Sequence, residues 1–164
     1  YRAKEKLKQA SLPAVSKTEL AGNLIDKFYI VSAVVDEVET EKARAALPTE
    51  YSRADAVYNI AHGALVLKAL ELGDEKLLRN AMQDKLHQNY RKSLITDYEA
   101  IESLVRTTGA AFCLSGAGPT LLCITQSPKL EEVLSKKLDA ITTASWQMLP
   151  LHVEFQGAHV LSAE

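Results

Sequence analysis

The sequence is poor in cysteine. Its 164 residues contain two, Cys113 and Cys123, and both lie inside apolar runs. No Cys-X-X-Cys pair and no cysteine–histidine cluster has the spacing of a zinc site, which argues against a structural metal. Two thiols in a chain of this length do not form a disulfide framework, and they favour a reducing compartment. We therefore expect a cytoplasmic protein that is stabilised by a hydrophobic core without cross-links.

The sequence also lacks a charge bias and a long apolar run. Its 19 basic and 21 acidic side chains leave a formal net charge of −2, so the basic surplus typical of nucleic-acid-binding proteins is missing. No apolar run approaches the roughly 20 residues of a membrane span. The N-terminal YRAKEKLKQ is not followed by the apolar core of a signal peptide. These absences predict that neither nucleic acid nor membrane is a partner.

What the sequence contains is a polar start followed by alternating strand-like and helix-like segments. Residues 1–27 predict an N-terminal helical arm, and residues 28–164 predict a single domain. The run at 28–35 is rich in aromatic and β-branched residues, which favours a buried strand. Ser52 and Gly73 have the residue types of a helix N-cap and a helix C-cap, so a long helix is expected between them.

The remaining segments complete the predicted order of elements. A glycine-rich loop at 115–120 separates two apolar strand candidates. The tail near 149–163 alternates in places and predicts two short strands or one bulged strand. Amphipathic spacing predicts further helices over 75–87, 96–109 and 128–139. The order strand, helices, strand, glycine turn, strand, helix, strand indicates an α+β fold, with helices on one face of an antiparallel sheet.

The glycine-rich loop has the sequence SGAGPT and allows two interpretations. Backbone amides in such a loop can approach an anion closely, because glycine has no Cβ to keep the anion away. A tight turn between adjacent strands would need the same glycine and proline residues. The loop is neither a GxGxxG sequence nor a Walker A sequence, so the residues alone leave both interpretations open.

Two further stretches carry polar groups suited to a small anion. Thr40 and Arg44 are four residues apart, so on a helix they share a face and offer a hydroxyl and a planar guanidinium. The alternative is a helix cap followed by an ordinary surface arginine. Arg91 follows the predicted helix over 75–87 and is a candidate to pair with Arg44 as an anion clamp. We interpret His87 as a cation at the C-terminal end of that helix.

Four stretches occur in a characteristic order, namely ETEKARAALP, DAVYNIAHGALVLKALELGD, LHQNYRKSLI and LSGAGPTLLCI. Together they resemble the C-terminal domain of homoserine kinase, in the GHMP small-molecule kinase superfamily. The likeness covers roughly residues 28–160. It implies a ferredoxin-like α+β domain. It also implies a parent enzyme that uses ATP and Mg²⁺ to phosphorylate the hydroxyl of homoserine in threonine biosynthesis.

The resemblance also implies roles for particular residues. Thr40 and Arg44 would hold the substrate amino acid, and Arg91 would bind its carboxylate jointly with Arg44. The glycine-rich loop would border the phosphates and the substrate. No catalytic residue and no metal ligand is identified. The residues of that loop are Ser115, Gly116, Ala117, Gly118, Pro119 and Thr120.

The sequence departs from the family pattern in two respects. It does not contain the N-terminal segment that helps bind substrate and magnesium, and it does not contain the family's glycine- and serine-rich ATP loop of the form P-x-x-x-G-L-G-S-S. We therefore expect a substrate-binding half of a kinase that is inactive without an N-terminal kinase domain. Loss of that domain would expose apolar surface, which predicts a homodimer. The alternative is a stand-alone ferredoxin-like module that binds a small molecule or serves oligomerisation.

Overall fold

The computed structural model describes residues 27–33 and 40–152. The predicted helical arm at 1–27, apart from Lys27, lies outside these residues. So does the end of the predicted tail strand. Everything stated below about structure concerns the described residues.

The described strands form one antiparallel sheet with β1 and β3 in its centre. The spatial order is β2-β3-β1-β4, and each neighbouring pair is antiparallel. With helices between β1 and β2 and one helix between β3 and β4, the chain follows the β-α-β-β-α-β order of the ferredoxin-like fold. The fold class predicted from the sequence is therefore confirmed. The strands are β1 (Lys27–Ala33), β2 (Ala111–Leu114), β3 (Leu121–Ile124) and β4 (Trp146–His152).

The described helices include the long one predicted from its caps. The Ser52 hydroxyl accepts a hydrogen bond from the Asp55 amide at 3.0 Å, and Gly73 ends the helix with a left-handed φ of 65°. A 3₁₀ turn (Lys92–Leu94) follows α4. None of these helices is long and apolar enough to cross a membrane. The helices are α1 (Thr40–Ala45), α2 (Arg53–Leu72), α3 (Glu75–Ala81), α4 (Gln88–Arg91), α5 (Tyr98–Arg106) and α6 (Lys129–Ile141).

Alternation along β2 and β3 decides which helices each side chain meets, because successive residues of a strand point to opposite faces. Leu121 faces α5 and α6, which cover one face of the sheet as predicted. Ile124 and Ala111 face the other way and pack with Ala69 of α2 and Leu78 of α3. The larger core includes Ile101, Leu104, Val105, Leu130, Leu134 and Leu138. Helices α2 and α3 thus add a partial second layer.

The two cysteines also lie on opposite faces of the sheet. Cys113 is paired in register with Leu122, and Cys123 with Phe112. The two cysteines are therefore not cross-strand partners, and their side chains point to opposite faces. Both cysteines are free. Burial, with a smaller contribution from the Asp84 carboxylate, raises the pKa of the Cys113 thiol to about 12. The thiol therefore stays protonated near neutral pH and is a poor nucleophile.

The predicted helix over 75–87 is wrong in its second half. Helix α3 ends at Ala81, and Asp84 organises the turn that follows. The Asp84 carboxylate accepts hydrogen bonds from the backbone amides of His87 at 2.7 Å and Gln88 at 2.6 Å. These bonds favour a new helix start over continuation of the old helix. His87 therefore precedes α4, and its interpretation as a cation at the C-terminal end of a helix is wrong.

Asp97 joins the start of α5 to the segment between α6 and β4. It has a left-handed φ of 64°, which few non-glycine residues adopt. Its carboxylate accepts hydrogen bonds from the Thr143 amide at 2.8 Å, the Thr143 hydroxyl at 2.8 Å and the Ala144 amide at 2.9 Å. Trp146 donates a fourth, from Nε1, at 3.2 Å. Trp146 is buried at the start of β4.

We predict that Asp97→Asn lowers the free energy of unfolding by about 1–3 kcal/mol near neutral pH, because a charged acceptor of several hydrogen bonds is lost. Asparagine tolerates the left-handed backbone, so the substitution tests the charge and not the conformation. The measurement is denaturant unfolding, with the exposed Asp139→Asn as the matched control.

The difference in the free energy of unfolding between wild type and Asp97→Asn should depend on pH. Desolvation raises the pKa of Asp97, but the hydrogen bonds together outweigh it, and the pKa is lowered from its ordinary value. A lowered folded pKa contributes stability above the unfolded pKa, and this contribution is lost as the pH falls through the folded value. The gap between wild type and Asp97→Asn should therefore narrow below about pH 4. A gap that is unchanged at low pH would contradict this account.

Candidate functional site

The glycine-rich loop closes the hairpin between β2 and β3. The Ser115 amide donates to the Thr120 carbonyl at 2.9 Å, and the Gly118 amide donates to the Ser115 carbonyl at 3.2 Å. Gly116 and Gly118 have φ values of 61° and 87°, which L-residues rarely adopt. The turn interpretation is therefore confirmed. The Gly116 and Ala117 amides make no such internal bond, so the geometry leaves room for the second interpretation as well.

The two glycines of the loop face different surroundings. A Cβ at Gly118 would lie 2.7 Å from Ile95 Cδ1 and 3.2 Å from Leu114 Cδ1, so this glycine is packed against the core. A Cβ at Gly116 would meet nothing within 4 Å. Gly116 is thus the member of the pair whose backbone is open to an approaching molecule, while Gly118 serves the packing of the hairpin.

Arg91 connects the loop to α1. Its Nε donates to the Ala43 carbonyl of α1 at 3.0 Å, and its Nη1 donates to the Gly116 carbonyl at 2.9 Å. A planar guanidinium with two donors engaged on two segments fixes the distance and the orientation between them. The three stretches that the sequence singled out therefore meet at one place. The second terminal nitrogen, Nη2, makes no hydrogen bond with any described residue.

Helix α4, which carries Arg91, is itself held on both sides. The Gln88 side chain accepts a hydrogen bond from the Leu114 amide at 2.8 Å and donates to the Met82 carbonyl at 3.1 Å. Asp84, whose side chain is only 7 % exposed, also accepts from Asn59 Nδ2 of α2 at 2.6 Å. Desolvation raises the pKa of Asp84, but its hydrogen bonds outweigh that effect and the pKa is lowered. An ionised Asp84 therefore anchors the segment that presents Arg91.

Gln88 and Asp84 are site-supporting residues that sequence reasoning missed. Gln88 binds the backbone amide of Leu114, 26 residues away, and Asp84 binds the side chain of Asn59, 25 residues away, so no local pattern marks either contact. His87 lies beside them, with Nε2 3.8 Å from the Asp84 carboxylate. Its Nδ1 is buried and makes no hydrogen bond with the described residues.

Thr40 and Arg44 lie on α1, which is anchored by the fully buried Ala43. Both side chains are exposed, and neither makes a hydrogen bond or an ion pair with a described residue. Their spacing on the helix puts the hydroxyl and the guanidinium on one side. Because Arg91 ties Ala43 of the same helix to Gly116, α1 and the open part of the glycine-rich loop border one surface. Such a surface suits a small molecule with an anionic group and a polar one.

Clefts of appreciable volume lie elsewhere on the domain. One of about 310 Å³ is formed by α3 and α5 and is lined by Arg79, Glu102 and Arg106. Another, of about 280 Å³, lies near Lys92 and Asp97. Within residues 27–33 and 40–152, no group of three or more histidine, cysteine or acidic side chains is placed to hold a metal ion. Neither of these two clefts is lined by Thr40, Arg44, Arg91 or the glycine-rich loop.

Comparison with known protein families defines the class of this domain. Residues 66–140 match the family model described as the C-terminal domain of GHMP kinases. The structure of homoserine kinase from Cytophaga hutchinsonii has the same fold, with a TM-score of 0.68 over 78% of this chain and 42% of that chain, at 24% identity. This part of the chain is therefore a GHMP kinase C-terminal domain.

The particular proteins that the chain resembles are homoserine kinases. That of Nostoc punctiforme is 46% identical over 123 residues, which cover 74% of this chain and 39% of the relative. That of Trichodesmium erythraeum is 45% identical over 132 residues, 79% of this chain and 42% of the relative. The resemblance inferred from the four motifs is confirmed. The chain spans about two fifths of the length of these relatives.

We predict that Gly118→Ala destabilises the domain more than Gly116→Ala. Both substitutions strain a left-handed backbone, at a cost of about 1–2 kcal/mol each. Only the alanine at 118 also overpacks the core against Ile95, which adds about 1–3 kcal/mol. Thermal or denaturant unfolding of the two variants measures the difference.

The variant Gly118→Ala/Ile95→Val provides the control, because it removes the Cδ1 methyl that the new Cβ would meet. Its destabilisation should be smaller than the sum of the two single effects. Equal costs for the two glycine substitutions, with simple additivity in the double variant, would show that Gly118 is not packed as described.

Proposed function

We propose that the chain is the substrate-binding C-terminal half of an ATP-dependent homoserine kinase, which converts homoserine to O-phosphohomoserine. The observation that carries the proposal is the double hydrogen bond of Arg91 to Ala43 and Gly116. It brings the TEKAR helix and the SGAGPT loop to one surface, in a domain that resembles homoserine kinases. By the same resemblance the reaction belongs to threonine biosynthesis and the enzyme is cytoplasmic.

The substrate roles follow from which groups remain available. Homoserine carries a carboxylate, an ammonium group and the hydroxyl that receives the phosphoryl group. Arg44 has all of its guanidinium donors free of described partners, so it is the main ligand for the carboxylate. Arg91 contributes Nη2 to the same carboxylate while its other donors position α1 and the loop. The Thr40 hydroxyl contacts the polar end of the amino acid.

The glycine-rich loop is the wall along which substrate and phosphate approach. Gly116 lacks a side chain where the surface is open, and the Gly116 and Ala117 amides point to no internal acceptor. Backbone amides in this arrangement stabilise an anion without the bulk of a side chain. Ser115, Pro119 and Thr120 complete the turn that holds these amides in place.

ATP and Mg²⁺ are assigned to the parent enzyme and not to this chain alone. Two loop amides are already used to close the hairpin, and the described residues offer no cluster of metal-ligating side chains. Phosphoryl transfer depends on the simultaneous positioning of nucleotide, metal and acceptor. An N-terminal kinase domain with a glycine-rich ATP loop would bind the nucleotide and the metal, and this chain would bind the acceptor, homoserine.

A second candidate function is a stand-alone ferredoxin-like module that binds a small amino acid or mediates oligomerisation. The observation that favours it is the self-contained core, since α5 and α6 cover one face of the sheet without help from another domain. Such a module would bind homoserine by itself. The two candidates therefore differ in whether this chain needs a second domain.

We predict that the purified chain releases no ADP from ATP and Mg²⁺ in the presence of homoserine, because it spans only about two fifths of the length of the homoserine kinases that it resembles. Fusing the N-terminal part of the Nostoc punctiforme homoserine kinase that this chain does not cover should restore turnover. In that fusion, Arg44→Ala should raise the KM for homoserine by roughly 10- to 100-fold with a smaller effect on kcat, since a charged binding contact is lost. A coupled ADP-release assay gives both quantities.

The exposed Lys137→Ala on α6 serves as the matched control for loss of one positive charge. Robust turnover by the chain alone would contradict its description as a half-enzyme. An active fusion in which Arg44→Ala leaves the KM for homoserine unchanged would contradict the role of Arg44. Calorimetric binding of homoserine to the unfused chain, abolished by Arg44→Ala, would favour the stand-alone module.

A further inference from the structure

The outer edge of β2 presents a backbone position without a partner. β2 stands at one end of the strand order, so its outer side has no neighbouring strand among the described residues. In an antiparallel pair, successive residues direct their N–H and C=O groups alternately toward the partner strand and away from it. The Leu114 amide points outward, because it donates to the Gln88 side chain at 2.8 Å. Phe112, two residues earlier, points outward too, and neither its amide nor its carbonyl has a described partner outside the β2–β3 ladder.

This free part of the edge is one residue long. Toward the glycine-rich loop, the Leu114 amide is already bound by Gln88. Toward the other end, the Ala110 amide donates to the Thr108 hydroxyl at 3.3 Å. A peptide that adds a strand to a sheet needs a run of free positions, whereas a ligand with one donor and one acceptor needs a single one. The edge therefore suits a small molecule and not an added strand.

The cleft of about 310 Å³ between α3 and α5, which we call the β2-edge cleft, surrounds this position. Helix α3 packs on one face of the sheet and α5 on the other, so side chains of both helices flank the open edge. The volume is at the lower end of the roughly 300–1,000 Å³ typical of small-molecule sites. The lining includes Arg79 and Gln83 of α3, Glu102 and Arg106 of α5, and Phe112 of β2.

One end of the β2-edge cleft offers donors for an anion. Arg79 donates from Nη1 to the carbonyl of Gly109, just before β2, and makes no ion pair with any described residue. Gly109 leaves room for this contact, since a Cβ there would lie 2.8 Å from the same Nη1. The Phe112 amide is directed to this end, because the N–H of a strand residue lies on its N-terminal side. A guanidinium and a backbone amide together suit a carboxylate.

The other end of the β2-edge cleft offers acceptors for a cation. Glu102 lines this cleft and also the smaller cleft beside α4, so it lies toward the C-terminal end of β2. The Phe112 carbonyl is directed to that end as well. Oε1 of Glu102 accepts a hydrogen bond from Arg106 Nη2 at 2.7 Å, and its Oε2 has no hydrogen-bond partner among the described residues. A carboxylate oxygen and a backbone carbonyl together suit an ammonium group.

We propose that the β2-edge cleft binds a small α-amino acid, which pairs with Phe112 as a single residue of an added strand would. Its carboxylate accepts hydrogen bonds from the Phe112 amide and from Arg79. Its ammonium group donates to the Phe112 carbonyl and to Glu102. An α-amino acid carries both groups on one carbon, as a strand residue does, and so matches the spacing of one backbone N–H and C=O. The inference is independent of the proposed kinase function, because neither Arg44 nor Arg91 lines this cleft.

Nuclear magnetic resonance titration of the ¹⁵N-labelled chain tests the proposal with three matched probes. L-alanine should shift the amide resonances of Phe112 and Gln83 in a saturable manner. L-lactate replaces the ammonium group of alanine by a hydroxyl, and ethylamine lacks its carboxylate. Each should bind at least about tenfold more weakly than L-alanine, because each loses the charged hydrogen bonds at one end of the cleft.

Two variants assign the two ends. Glu102→Gln should weaken L-alanine binding by roughly tenfold and leave that of L-lactate unchanged, because only the ammonium group needs this carboxylate. Arg79→Gln should weaken the binding of both, and its unfolding transition shows whether loss of the Gly109 contact has disturbed the fold. Arg44→Ala is the matched control for loss of one positive charge and should leave the Phe112 shifts intact.

Four results would overturn the proposal. The first is the absence of any saturable shift at Phe112 with L-alanine, and the second is equal affinity for the three probes. The third is a set of shifts that disappears in Arg44→Ala, which would place the amino acid on the surface proposed for homoserine. The fourth is slow hydrogen–deuterium exchange of the Phe112 amide in the free chain, which would mean that another segment already occupies the edge.

Discussion

The candidate site depends on one side chain that bonds to two backbone carbonyls. Arg91 donates to Ala43 of α1 and to Gly116 of the glycine-rich loop, so a single guanidinium bridges the two segments at the site. The donors are charged, so the bonds are strong for a surface position. The acceptors are backbone carbonyls, so their positions do not depend on a side-chain rotamer. The rest of the arrangement can be understood as support for Arg91.

That support reaches from α2 to the sheet. The Asp84 carboxylate accepts hydrogen bonds from Asn59 of α2 and from the backbone amides of His87 and Gln88 at the start of α4. The Gln88 side chain accepts a hydrogen bond from the Leu114 amide of β2. Polar bonds to backbone therefore position the site, while the hydrophobic core under α5 and α6 stabilises the sheet on which the loop is mounted. Arg91 spends two donors on backbone carbonyls, whereas Arg44 makes no hydrogen bond or ion pair with a described residue, and for this reason we propose Arg44 as the main contact for a ligand.

The elements that the sequence predicted well are those specified by neighbouring residues. Ser52 and Gly73 bound α2 through local capping geometry, and the turn at the glycine-rich loop follows from residues within the loop itself. The prediction over 75–87 was wrong because Asp84, inside that segment, binds the backbone amides of His87 and Gln88 and starts a new helix. Contacts between distant residues could not be predicted, such as that of Trp146 with Asp97, 49 residues away. The two acceptors of Arg91 lie 48 and 25 residues from it, so the sequence could nominate the arginine but not its partners.

The most direct test of this account is hydrogen–deuterium exchange on the unfused chain with Arg91 replaced by lysine, which keeps the charge but cannot donate to two carbonyls in a fixed plane. The account predicts faster exchange in both α1 and residues 115–120, with α5 and α6 as protected as in wild type. An increase confined to one of the two segments, or unchanged exchange in both, would contradict the claim that Arg91 holds them together.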